Sequence, residues 1–129
     1  MDWFRFAVKS AVHGASNFAG QSRRARAASR GKLVVLTYHS FCDTWPRGLF
    51  SSLPVARFER QIRYLRRKFH IVPLVDGVER VLQGDVSDRP WLAITIDDGF
   101  RDNYTHAWPI LRKYDVPATI FLATDFIDA

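Results

Sequence analysis

The sequence predicts an α/β fold, and three observations carry the prediction. Short apolar runs at Leu33–Tyr38, Trp91–Asp97 and Ala118–Ala123 are bounded by Gly, Pro or polar residues, as strands are. Between them apolar residues recur at helical spacing, most plainly Phe58, Ile62, Leu65 and Phe69. Strands separated by helical segments of about a dozen residues pair in parallel through crossovers, with helices covering the sheet. The composition agrees: 129 residues suffice for one domain with a core, and 47% hydrophobic with 25% charged residues is ordinary for a globular protein. No apolar run approaches the roughly 18 residues that a membrane-spanning helix needs.

The chain divides into residues 1–31, a leader, and residues 32–129, the body. On a helical wheel Trp3, Phe4, Ala7, Val8, Ala11, Val12, Ala15, Phe18 and Ala19 fall on one half. Arg5, Lys9, Ser10, His13, Ser16 and Asn17 fall on the other, with Phe6 the exception, and a Ser/Arg/Ala/Gly linker follows through Gly31. The pattern is a basic amphipathic helix, for which two readings stand. It packs on the domain or a partner, or it lies on an anionic membrane surface with its aromatics inserted. The leader lacks the apolar core and cleavage site of a secretory signal peptide, so compartment stays open between cell envelope and cytoplasm. Residues 1–32 hold seven basic side chains against one acid, a net of +6, and the remaining twelve basic and twelve acidic groups cancel. The basic character belongs to the leader, which gives no reason to read the body as a nucleic-acid binder.

Within the body, Leu33–Tyr38 is the first strand. The stretch from Ser40 to Ser52 contains Asp43, Pro46 and Gly48 and reads as a loop. Pro54 suits the first turn of the next helix, whose Arg60, Arg63, Arg66 and Arg67 face solvent. Ile71–Val75 is a second short strand and Val78–Leu82 a weak helix. Trp91–Asp97 is the strongest strand, followed by a helix over Asn103–Tyr114 in which Pro109 marks a late start or a kink. Ala118–Ala123 is the next strand.

The chemistry is concentrated in Thr95-Ile96-Asp97-Asp98-Gly99-Phe100. Side chains alternate along a strand, so Leu92, Ile94 and Ile96 share one face, and Ala93, Thr95 and Asp97 the other. The bulky row suits packing against helices. Asp97 and Asp98 fall at the carboxyl end of a parallel strand, where α/β folds place their sites, and Gly99 permits a sharp turn. Two adjacent carboxylates in a partly dry pocket need charge compensation, which a divalent cation supplies. One carboxylate then ligates the cation while the other takes a proton from water, the arrangement of metal-assisted hydrolysis. Two other readings remain open: the pair caps the following helix, or it serves magnesium-dependent phosphoryl transfer. Cys42, the one cysteine, excludes an intramolecular disulfide and reads as an incidental loop residue. His13, His39, His70 and His106 contain no i, i+4 pair. His39 follows the first strand, and two readings stand: it lines the mouth of the fold, touching substrate or another side chain, or it makes a structural hydrogen bond. Trp45 and Phe50, on the loop after the first strand, either stack on a bound ring or join the core, His106 is a surface residue, and Trp91 and Trp108 are packing residues.

Four blocks together resemble the polysaccharide deacetylase family (carbohydrate esterase family 4, the NodB-homology domain). They are Leu36-Thr37-Tyr38-His39, Phe58 to Leu65, Ile94 to Tyr104, and Pro109 to Tyr114 with Pro117-Ala118-Thr119-Ile120-Phe121-Leu122. The resemblance implies the N-terminal part of a distorted (β/α) barrel of TIM-like kind and a hydrolase that removes N-acetyl groups from a polysaccharide. It implies Asp97 as general base, Asp98 as ligand of a divalent metal ion, usually zinc, and an N-acetylated polysaccharide as partner. Ile96 stands where the family commonly has Phe. The family's His-x-x-x-His pair, its base-orienting Arg and its late Leu-x-His are not among these residues. The 129 residues are therefore expected to be inactive alone, and a catalytically silent carbohydrate-binding or scaffold module is the alternative reading.

Overall fold

The computed structural model describes residues 31–44 and 52–126. The amphipathic pattern of residues 3–19, His13, Trp45 and Phe50 lie outside the described residues. The elements run β1 (Leu33–Tyr38), β2 (Ser40–Cys42), β3 (Ser52–Pro54), α1 (Val55–Lys68), β4 (His70–Ile71), α2 (Leu74–Leu82), β5 (Trp91–Ile96), a π-helical turn (Asn103–Ala107), α3 (Trp108–Lys113), β6 (Thr119–Ile120) and a 3₁₀ turn (Thr124–Phe126).

The α/β class and the parallel sheet hold. β5 is central: β1 pairs along its whole length, from Leu33 opposite Trp91 to Tyr38 opposite Ile96. Its other edge is shared, with β4 meeting Trp91 and Leu92 at the start and β6 meeting Thr95 and Ile96 at the end. All of these pairings are parallel. Among the described residues the strands form an open sheet. A second, small parallel sheet joins β2 to β3, where the sequence reads only as a loop.

The helices form for the reasons their periodicity indicates. In α1 Phe58, Ile62 and Leu65 are buried, while the arginines at 60, 63, 66 and 67 are exposed. Arg66, Arg67 and Lys68 fall in its last turn, where positive charge complements the helix dipole. Pro54 is not inside the helix but closes β3 and caps α1. The core joins these α1 residues to Leu92, Ile94 and Ile96 of β5, to Ile110 and Leu111 of α3, and to Tyr38, Phe41 and Val116. The opposite face of β5 carries Ala93 and Thr95, and Thr95 Oγ1 lies 2.9 Å from Thr37 Oγ1 across the β1 pairing. Both rows of β5 are buried, as a sheet covered on two sides requires.

Several boundaries differ from the sequence reading. The expected strand 71–75 is only His70–Ile71, because Pro73 caps α2, which starts at Leu74. Pro73 has no N–H to give a ladder, and its fixed φ suits the residue before a first helical turn. The weak helix at Val78–Leu82 is accordingly a full one over 74–82. It lies close on β1, since a Cβ at Gly77 would stand 2.7 Å from Leu33 Cδ1. The strand 118–123 narrows to Thr119–Ile120, with one further ladder bond from Phe121 N–H to Ile96 O. The helix over 103–114 is a π-helical turn leading into α3, with Trp108 N–H bonded to Asn103 O. Pro109 explains the wide turn: it cannot donate to the carbonyl four residues back, and its ring would clash there in a regular helix. Trp108 is 50% exposed, not a packing residue, whereas Trp91 is half-buried with His70 against its ring at 5.2 Å and Arg80 over it at 4.7 Å.

Candidate active site

The carboxyl ends of β1 and β5 lie side by side, so the segments leaving the two strands converge. The ladder continues one step past β5, with Asp97 N–H donating to Tyr38 O at 2.9 Å. That bond keeps Asp97 in the strand's path, and its side chain stays 35% exposed. Directly after β1, His39 presents Nε2 3.7 Å from Asp97 Oδ2. The separation exceeds a hydrogen bond but lies within ion-pair reach.

Asp98 leaves the strand differently. Its φ is +71° and that of Gly99 is +68°, successive left-handed residues that turn the chain sharply. Gly takes such a conformation freely, and Asp is among the few other residues that tolerate it. A Cβ on Gly99 would also meet Leu122 Cδ2 at 2.5 Å, so the turn packs against the segment after β6. Asp98 is exposed, and among the described residues its carboxylate makes no hydrogen bond or ion pair. Such a carboxylate suits one position in a divalent cation's shell. Among the described residues no three His, Cys, Asp or Glu side chains gather to complete that shell.

The structure thus brings Asp97, Asp98 and His39 to one end of the sheet. His70 sits at the opposite end, beside the first residue of β5, with Nε2 2.7 Å from Asp88 Oδ1. That contact holds the Asp88 carboxyl below its usual range. His106, expected at the surface, is half-buried with Nε2 3.3 Å from Asp43 Oδ1. Cys42 is half-buried, and burial, then the charges of Asp43 and Asp102, push its thiol up, which disfavours a nucleophilic thiolate.

Sequence reasoning did not single out the residues beneath the site. Asn103, only 3% exposed, faces two acceptors, so its amide nitrogen lies against them. It donates to Asp102 Oδ1 at 2.8 Å and to the His39 carbonyl at 2.9 Å. The opposite amide placement would leave one 3.4 Å bond to the Asp97 carbonyl and press oxygen against oxygen. Ser40 Oγ donates to Asp102 Oδ2 at 2.8 Å and lies 2.9 Å from Ser52 Oγ, which ties in β3. The available signal was a polar Asp-Asn pair starting three residues after Gly99, where the π-helical turn begins.

Comparison with known proteins agrees with this architecture. Residues 84–129 match the family described as polysaccharide deacetylase. The putative polysaccharide deacetylase YxkH of Bacillus subtilis is 32% identical over 92 residues, which are 70% of this chain and 32% of that protein. The solved structure of IcaB from Ammonifex degensii matches with a TM-score of 0.59 and 27% identity, over 70% of this chain and 37% of the other. The Streptococcus pyogenes deacetylase PplD, solved in complex with acetate, matches in fold with a TM-score of 0.63 at 21% identity, over 75% of this chain and 46% of the other. The chain spans about a third of the length of the curated relative it matches. Over the matched residues the chain is similar in sequence to polysaccharide deacetylases.

Proposed function

We propose that the protein is a metal-dependent hydrolase that removes N-acetyl groups from a polysaccharide. The observation that carries this reading is the pair of carboxylates at the exit of β5. Asp97 is held in the strand's path beside His39, and Asp98 is turned outward on a left-handed backbone. In this reading Asp98 is one ligand of a divalent cation, zinc or a similar ion. When bound, the cation supplies a positive charge that polarises the amide carbonyl and stabilises the charge developing on its oxygen.

The remaining steps belong to the chain's own residues. Asp97 takes a proton from the attacking water, the task of a general base. The His39 ring nitrogen, 3.7 Å from the Asp97 carboxylate, borders the place this reading gives the sugar's acetamido group. An amide is a poor electrophile, so base and charge stabilisation must act together at one carbonyl. The products are acetate and a free amino sugar. The barrel expected for the family would be completed by strands outside those described, and the remaining ligands would come from outside them too. Residues 1–30 are proposed to hold the protein on an anionic membrane surface, a reading supported by their amphipathic pattern and basic charge.

The test is acetate release from an N-acetylglucosamine oligomer by the full-length enzyme. Asp97→Asn preserves shape and removes the base, and a loss of at least about a hundredfold in kcat is expected. Unchanged turnover in that variant would refute the assignment.

A further inference from the structure

We propose that Asn103 is a positioning residue, which ties the His39 backbone to the turn after β5 and so sets the His39 ring against the Asp97 carboxylate. The proposal rests on the deacetylase reading of Asp97 and adds a requirement to it.

A side-chain amide nitrogen carries two hydrogens, and both of Asn103's find acceptors: Asp102 Oδ1 at 2.8 Å and the His39 carbonyl at 2.9 Å. Asp102 is held in turn, since its second oxygen accepts from Ser40 Oγ at 2.8 Å. With that hydrogen committed, Ser52 donates to Ser40 across 2.9 Å. Residues 39 and 40 are therefore both anchored to residues 102 and 103. On the other side, the Tyr38 carbonyl accepts from Asp97 N–H. The His39 backbone is fixed before and behind, and its ring keeps only side-chain rotation. The ring nitrogen lies 3.7 Å from Asp97, so a displacement of well under an ångström makes or breaks a hydrogen bond.

A purely structural asparagine would need only the local bond to Asp102. The bond to His39 links the π-helical turn to the residue directly after β1 and reaches the site itself. It is also costly to lose: Asn103 is almost fully buried, and an orphaned polar group there has no water to turn to.

Exchanging the pair, Asp102→Asn with Asn103→Asp, separates the two roles. It keeps a hydrogen bond between positions 102 and 103 and an acceptor for Ser40, but leaves position 103 no donor for the His39 carbonyl. In the full-length enzyme kcat is expected to fall at least about tenfold, because small misplacements at a reacting centre slow the chemical step steeply. KM should stay within about twofold, the signature of a contact used in the transition state. In the 129-residue chain, Asp97→Asn should shift the His39 ring NMR signals, and the exchanged pair should lose that response. Restored kcat, or an undiminished ring response, would overturn the proposal. If the exchanged pair fails to fold, Ser40→Ala removes only the outer link. It should lower kcat about threefold at constant KM, and an unchanged kcat would equally overturn the idea. Should Asp97→Asn leave turnover intact, the failure lies with the deacetylase reading, not with Asn103.

Discussion

Asp98 allows the backbone and the chemistry of the site to be separated in one set of variants. Its φ of +71° lies in the left-handed region, and its exposed carboxylate makes no hydrogen bond or ion pair among the described residues. Replacing it therefore changes backbone strain and charge and little else. Asn shares the tolerance of Asp for this conformation, whereas a residue with an ordinary Cβ is disfavoured there by about 1–2 kcal/mol. Asp98→Asn should consequently unfold at the parent temperature. Asp98→Ala should lose about 1 kcal/mol, which for a chain of this size is roughly 3–5 °C in Tm. Both variants remove the proposed ligand, so zinc affinity and acetate release in the full-length enzyme should fall together in each. The assays are a thermal unfolding scan of the 129-residue chain and a zinc titration of the full-length enzyme. Equal stability of the Ala and Asn variants would refute the backbone argument. An Asn variant that kept both zinc affinity and turnover would refute the ligand assignment.

Other parts of the molecule make separate predictions. Phe58 is fully buried, edge-on to Tyr38 at 5.0 Å and 4.6 Å from Phe41, so Phe58→Ala should cost about 3–5 kcal/mol in urea unfolding. A loss below about 1 kcal/mol would show that the cluster behind His39 is not packed as described. Glu59 accepts from Lys113 Nζ at 2.8 Å and Tyr114 OH at 2.7 Å, and the lysine bond chiefly holds its carboxyl below the usual value. A lowered carboxyl stabilises the fold above its unfolded pKa and loses that contribution as pH falls through the folded one. Glu59→Gln should therefore be less stable than the parent near neutrality and converge with it in acid; a gap independent of pH would contradict this. Deleting residues 1–30 should reduce partition of the protein onto anionic vesicles, and equal partition would remove the membrane reading of the leader.

Much of the fold was legible because it depends on periodicity. The alternation of β5 and the 58-62-65 stripe of α1 each specify a buried face, and both faces are where the patterns put them. What escaped depended on pairings that leave no periodic trace. Ser40–Cys42 and Ser52–Pro54 are too short to announce strands, and they form a sheet only through each other. The boundary at Pro73 was misplaced because an apolar run continues across it, while proline's missing N–H ends the strand. The same holds at the site. Asp97 and Asp98 announce themselves by adjacency at a strand's end, but the partnership of Asn103 with His39 joins residues far apart in the chain. Only the parallel pairing of β1 with β5 brings them into contact.

That pairing also accounts for how two identical neighbours come to have different surroundings. Asp97 keeps extended backbone because its N–H still bonds to Tyr38, so its side chain follows the strand's alternation toward the face shared with Thr95 and His39. One residue later the backbone turns left-handed, and Asp98 no longer obeys that alternation. The difference in surroundings arises before any ligand arrives: one carboxylate has a histidine beside it and partial burial, the other has solvent. A regular continuation of the strand would have placed Asp98 on the opposite face, among the helices. The positive φ at Asp98 and Gly99 is what keeps both acids at the mouth of the sheet, and it does so with residue types that tolerate that backbone.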